Sequence, residues 1–334
     1  MDITTLLNTF KEKLGPHPAS TSRATEALHF VFKDRAFLYT AQPSRNDTTA
    51  FITLLTLAVR GEQKANSDRR GDALDKILCY NGNPGNSAFI GIKPEVFAFQ
   101  LACRVREPSL INQIDTGFCG VNAMMIAFAH DDPVGFVEYA ISLMQNGWGM
   151  FRQLKVKADD SILKGHNSGT MVAADVVTLA SFGFQFWQRV RSHTQGTTGA
   201  TPTELCHWLQ TARLNCADNT NGVEKLKPDQ RMKNLREAAN SVIGDRTVIL
   251  TINDDLINNF LLPKKKLQKG LVTTPPPRLQ DNSKHTNHWV LVKRLTINTT
   301  FVDIKFYSHG LTYIDQMPHD KFLSYYGGHI SAWP

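Results

Sequence analysis

Cysteine is scarce in this chain. There are five in 334 residues: Cys79, Cys103, Cys119, Cys206 and Cys216. They are odd in number and unevenly spaced, which argues against a disulfide scaffold and against a zinc cluster. A reducing compartment suits such a set. No early charged-then-apolar stretch reads as a signal peptide. No apolar run reaches the ~20 residues needed to cross a bilayer. Internal repeats and low-complexity segments are missing too, which excludes solenoids and fibrous arrays. The expectation is a protein with no membrane span, no metal and no cofactor. If it leaves its cell, it does so without a cleaved leader.

What is present is ordinary globular material. Hydrophobic residues make up 42 % and charged residues 20 %, which suits a packed core rather than a disordered chain. The length allows two compact units. Net charge is +7, but the Lys and Arg residues are spread along the chain. Lys264-Lys265-Lys266 is the one run, in a stretch that leads to Pro275-Pro276-Pro277, and it reads as a solvated tract. No nucleic-acid fingerprint accompanies the charge, so no specific nucleic-acid partner is expected.

Apolar spacing orders the chain as helices first and strands last. Ile3, Leu6, Leu7, Phe10 and Leu14 predict a first helix, stopped by Gly15-Pro16-His17-Pro18. Residues 22–39 mix helical and strand signals. A helix over 47–60 takes Asp47 as its cap, 61–70 reads as a loop, and a short helix spans 72–80. Asn81–Asn86 is the clearest break, and a domain boundary is placed near residue 100. One helix follows the cysteine motif to about His130. A second starts at Asp131-Asp132-Pro133 and stops at Asn146-Gly147. Residues 172–190 read as an apolar helix or pair of helices. Thr201-Pro202-Thr203-Glu204 is a capping box opening a helix over 202–215, and a charged helix covers 229–242. After Gly244 the period changes to strands at 246–253, 288–297 and 301–307. A last helix over 315–325 and a short edge strand at 329–333 complete an α+β order.

The chemistry concentrates at Cys119. Gln113 lies six positions before it, Gly120 follows it, and Val121–Phe128 continues as a helix. A nucleophilic thiol needs a lowered pKa, a base and donors for an oxyanion. A helix N-terminus favours the thiolate. His288, in Asn287-His288-Trp289-Val290, opens an apolar strand and is the candidate base. The Gln113 amide and the Cys119 N–H are the candidate oxyanion donors. The bland readings are a small buried cysteine at a helix start, a polar loop glutamine and a histidine at a strand end. His130, His285, His309, His319 and His329 are weaker alternatives to His288, with His309 kept as a site-lining residue. Cys79 and Cys103 are expected in the core, and Cys206 and Cys216 to be structural.

Gln-x5-Cys-Gly followed far downstream by Asn-His-Trp-Val resembles the papain-like cysteine peptidases, over roughly residues 110–334. The tail, Phe301–Gly310, is similar to bacterial effector and toxin proteases. The resemblance implies a papain-like α+β fold, with a nucleophile helix and helical lobe packed on a C-terminal antiparallel sheet. It implies a catalytic domain over 101–334, preceded by a mainly helical region, 1–100, serving delivery or substrate or partner binding. It also implies an Asn or Asp that orients the histidine. Asp303, fifteen residues after His288 on the next strand, is the candidate, although a turn at 298–300 sets it near the turn end of the hairpin; Asp315 is the outside option. The implied activity is thiol-dependent cleavage of a protein or peptide substrate. The implied setting is a toxin made in a bacterial cytoplasm, delivered into a target or host cell and paired with a cognate immunity protein. Deamidation of Gln or Asn, or transglutamination, would use the same machinery. A catalytically silent binding protein or adaptor is the non-enzymatic alternative.

Overall fold

The computed structural model describes residues 1–15, 20–113, 118–165, 171–183, 200–253, 255–257 and 288–334. Its helices are α1 (Ile3–Leu14), α2 (Thr21–Lys33), α3 (Arg35–Thr40), α4 (Arg45–Gly61), α5 (Ser67–Gly82), α6 (Pro94–Arg106), α7 (Cys119–Asp131) and α8 (Pro133–Asn146). A hairpin, β1 (Trp148–Phe151) and β2 (Leu154–Lys157), leads to the short helices α9 (Asp160–Leu163) and α10 (Ala173–Asp175). Then come α11 (Pro202–Thr211), β3 (Asn215–Asn219), α12 (Pro228–Ile243) and β4 (Thr247–Ile252). The chain closes with β5 (His288–Ile297), β6 (Phe301–Ser308), β7 (Leu311–Pro318), α13 (His319–Tyr325) and β8 (Tyr326–Trp333). The class is mixed α and β, with an antiparallel sheet and helices.

Two compact units share this chain. One comprises Met1–Ile111 with Phe128–His193, the other Asn112–Ala127 with Thr194–Pro334. The expected boundary near residue 100 is therefore displaced. Helix α6 runs straight across it, with Val96 to Val105 all buried. Arg104 of that helix holds Asp175 through two hydrogen bonds of 2.6 Å, with both side chains 1 % exposed. Removing either member would strand a buried charge at a cost of about 3–5 kcal/mol. Phe128, Phe136, Phe151 and Phe182 pack edge to face in the same unit.

Capping decides where several of these helices start. Ser44, not Asp47, is the cap of α4; Asp47 occupies its third position and reaches back to the Ser44 N–H at 3.1 Å. Asp34 splits the ambiguous 22–39 stretch into two helices by capping the second. The box at Thr201 and Glu204 forms as read. Helix α11 nevertheless ends at Thr211, because Arg213 turns into positive φ (63°) and β3 begins at Asn215.

The second unit is built on a six-stranded antiparallel sheet in the order β3-β8-β4-β5-β6-β7. Leu235 and Ala238 of α12 lie in one core cluster with Val248, Leu250 and Ile252 of β4, Val290 and Val292 of β5, and Val302, Ile304 and Phe306 of β6. Strand β8 is not the edge strand expected, since β3 covers it. The last helix begins at His319 and not at 315, because Tyr313 and Met317 alternate into the core as β7 pairs with β6. Cys206 and Cys216, expected to be structural, form a disulfide joining α11 to β3. Cys79 is exposed rather than in the core, whereas burial pushes the Cys103 thiol up to about 12. Among the described residues, no helix is long and apolar enough to cross a membrane.

The disulfide closes a loop with a sequence separation of 10, so its removal should cost about 3 kcal/mol. Urea denaturation of Cys206→Ser is expected to show that loss, with or without reductant. Reduction should lower the wild-type midpoint to match, and Cys79→Ser should leave it unchanged.

Candidate functional site

Strand β5 carries the site at its first residue. Its apolar run pairs with β4 on one side, Ile252 opposite His288, and with β6 on the other, Leu291 opposite Tyr307. The β6 register shifts between Val292 and Arg294, leaving Lys293 as an extra residue. That bulge changes the phase of the strand. Leu295 and Val292 can then both face the core, and so can His288, two pleats before Val292. Strand β6 turns into β7 through His309 and Gly310, both at positive φ (47° and 67°). Ser308 pairs with Leu311 across this two-residue turn. Two positive φ values are what a tight hairpin of this hand requires. Extending the pairing of Leu291 with Tyr307 by one step sets Ser308 diagonal to His288, within reach of a long side chain.

The His288 imidazole is 4 % exposed and Ser308 2 %. Nε2 of His288 and Oγ of Ser308 are 2.6 Å apart, and the same Oγ is 3.0 Å from Nδ1 of His309. The two imidazoles stack, with centroids 4.6 Å apart and planes 7° from parallel. Burial lowers the His288 pKa to about 4. The ring is therefore neutral at physiological pH, the form able to accept a proton.

Cys119 is the first residue of α7 and is 4 % exposed. The Asn122 N–H donates to the Phe118 carbonyl at 2.7 Å, which is the first bond of the helix. The thiol thus sits in the first turn, where the helix dipole favours an anion. Gly120 faces Trp289. A Cβ added there would meet Trp289 Cδ1 and Leu205 Cδ1 at 3.4 Å and the Ala200 Cβ at 3.2 Å. Trp289 is fixed in turn, its Nε1 donating to the Ala200 carbonyl at 2.8 Å. The residue after the cysteine therefore packs on the residue after the histidine. Trp289 thus lies against α7, and Nε2 of His288 meets Ser308.

The remaining sequence candidates divide clearly. Gln113 is buried, at 3 % exposure, in the same unit. Residues 114–117, with Asp115, lie outside the described residues, as do His285, Asn287 and the lysine run. Asp303 does not meet His288. It pairs with Thr296 and accepts from Asn298 Nδ2 at 3.2 Å. Eight residues of extended strand separate Thr296 from His288, about 26 Å. Asp315 lies opposite Ile304, also far along the hairpin. The hydroxyl of Ser308 stands where a carboxylate was expected. Its signal in the sequence was the Ser-His-Gly turn at the far end of the strand. His130 contacts Asp131, and His319 contacts the Asn298 carbonyl.

His329 occupies a separate buried network. Its Nε2 is 3.2 Å from Asn219 Nδ2, and its Nδ1 is 3.0 Å from the Tyr326 hydroxyl and 3.3 Å from Asn234 Oδ1. A neutral ring with hydrogen on Nδ1 satisfies every contact, the amide donating to Nε2. Burial lowers its pKa to about 4 as well. Among the described residues, no group of three His, Cys, Asp or Glu side chains is placed to hold a metal ion.

No protein-family model matches this chain, and no curated protein or solved structure matches it.

Two imidazoles with folded pKa values of about 4, against an ordinary value near 6.5, make the fold acid-sensitive. Between those values the unfolded chain binds protons that the folded chain excludes, so stability falls as pH drops from 6.5 toward 4. Each group contributes up to about 3 kcal/mol over that window. Urea denaturation at pH 7.5, 5.5 and 4.5 is expected to show the decline, with a shallower slope in His329→Gln.

Proposed function

We propose that the protein is a thiol-dependent amide hydrolase of papain-like architecture, with Cys119 as nucleophile and His288 as general base. The observation that carries this reading is the packing of Gly120 on Trp289, which brings the nucleophile helix to the strand end that bears His288. Three further features support it. Cys119 opens a helix, His288 is neutral, and an antiparallel sheet lies behind the histidine.

With Nε2 engaged by Ser308, Nδ1 is the nitrogen that takes the thiol proton. The thiolate attacks a carbonyl carbon, and the oxyanion is met by the Cys119 N–H and the Gln113 amide. His288 then returns its proton to the leaving amine, and a thioester remains. Water, deprotonated by the same imidazole, hydrolyses it and restores the thiol. If the acyl group comes from a side-chain amide, the product is a deamidated protein; if an amine replaces water, it is a cross-link. We place the substrate among proteins of a target or host cell, and we regard the chain as a delivered effector with a cognate inhibitor. The Cys206–Cys216 disulfide supports export, since such bonds persist in oxidising surroundings.

Iodoacetamide labelling at pH 7 tests the pair. Cys119 is expected to react faster than the exposed Cys79, and its rate should fall roughly tenfold or more in His288→Ala. Equal rates at both thiols, unchanged by His288→Ala, would refute the proposal. Mass spectrometry of a target-cell lysate treated with wild type and with Cys119→Ala then separates new termini from deamidated or cross-linked side chains.

A further inference from the structure

We propose that Ser308 and His309 together replace the orienting carboxylate: His309 directs the Ser308 hydroxyl, and that hydroxyl sets which nitrogen of His288 carries hydrogen. The inference rests on the reading of Cys119 and His288 as the catalytic pair.

A serine hydroxyl has one hydrogen and accepts through its oxygen. Ser308 Oγ lies 2.6 Å from His288 Nε2 and 3.0 Å from His309 Nδ1. One hydrogen cannot serve two acceptor nitrogens. Two donor nitrogens would leave the hydroxyl hydrogen unplaced in a site where Ser308 is 2 % exposed. One nitrogen therefore donates and the other accepts, which leaves two arrangements. In the first, His288 Nε2–H donates to Oγ, Oγ–H donates to His309 Nδ1, and the His288 Nδ1 lone pair is ready for a thiol proton. In the second, every arrow is reversed. His288 then carries hydrogen on Nδ1 and cannot act as a base there.

The burial that keeps His288 neutral makes this choice of tautomer the one that matters. The proposed reaction requires the first arrangement, and His309 Nδ1 is the acceptor that holds it. When His288 takes the proton of Cys119, its Nε2–H still donates to Oγ, so the hydroxyl need not turn during the step. The hairpin geometry supports the same role. Positive φ at His309 folds its ring back over His288, stacked at 4.6 Å, with Nδ1 toward the hydroxyl. Ser308 and His309 are positioning residues; neither touches the reacting carbonyl.

Nitrogen-15 NMR of the full chain, with Cys119→Ala removing the thiol, reads the tautomer of His288 directly. At pH 7.5 the Nε2–H form is expected. Ser308→Ala should abolish the preference and Ser308→Thr should keep it. His309→Phe retains a ring but no acceptor, and should move His288 to the Nδ1–H form. His309→Asn tolerates the same backbone and keeps an acceptor, so it should restore Nε2–H. With Cys119 present, alkylation of the thiol should slow roughly tenfold or more in His309→Phe, since a wrong tautomer removes the base, and only a few-fold in Ser308→Ala, where both tautomers are populated. A Nδ1–H form in the parent, or the same tautomer in all four variants, overturns the relay while leaving the catalytic pair standing. Alkylation indifferent to His288→Ala overturns the pair, and the relay's purpose with it, even where the tautomer shifts as described.

Discussion

The register between β5 and β6 is the constraint on which the site depends. Side chains alternate across a strand, so a slip of one residue would carry Ser308 to the opposite face from His288. The bulge at Lys293 is what reconciles the two halves of the strand. Without the extra residue, Leu295 and His288 would have opposite parity, and one of them would leave the core face. The neighbouring strands hold the same positions: the two-residue turn fixes the pairing of β6 with β7, and β4 matches Ile252 with His288. The adjoining positions Gly120 and Trp289 divide the space between them, one giving up its side chain so that the other's indole fits.

Among the described residues, buried charge is matched in the bidentate Arg104–Asp175 pair. Two buried imidazoles are held instead in neutral donor–acceptor chains. His329, Tyr326, Asn234 and Asn219 form one such chain, and His288, Ser308 and His309 another. A buried imidazole offers one hydrogen and one lone pair; the first chain engages both nitrogens of His329, and the second engages Nε2 of His288. The cost of holding two rings uncharged is a narrower range of pH in which the fold is stable.

Legibility in the sequence followed the range of the forces involved. The capping box at Thr201, the strand at 288–297 and the start of α7 at the cysteine rest on neighbours a few residues apart, and the structure places them as read. Strand β3 escaped notice because Asn215-Cys216-Ala217-Asp218-Asn219 has no β-branched residue; its pairing with β8 and a disulfide make it a strand. The period over 315–325 suits a helix, yet pairing with β6 claims the residues up to Pro318. Asp303 is an acid on the right strand, but a strand has two ends, and pairing with Thr296 sets it at the end away from His288. Ser308 carries no charge, so its residue type alone does not mark it. A buried neutral imidazole needs a hydrogen-bond partner more than it needs an anion.

The division of the chain bears on how the protein can be dissected. Helix α7 begins in one compact unit and, from Phe128, belongs to the other. The polypeptide passes between the units three times, after Ile111, after Ala127 and after His193. No single cleavage point can therefore release either unit whole. A fragment starting at residue 101 would keep Asp175 while severing α6 and discarding α3, α4 and α5, on which α6 packs. Separating the thiol-bearing unit would take a rejoined chain, with residues 128–193 excised and the ends bridged, rather than a shortened one.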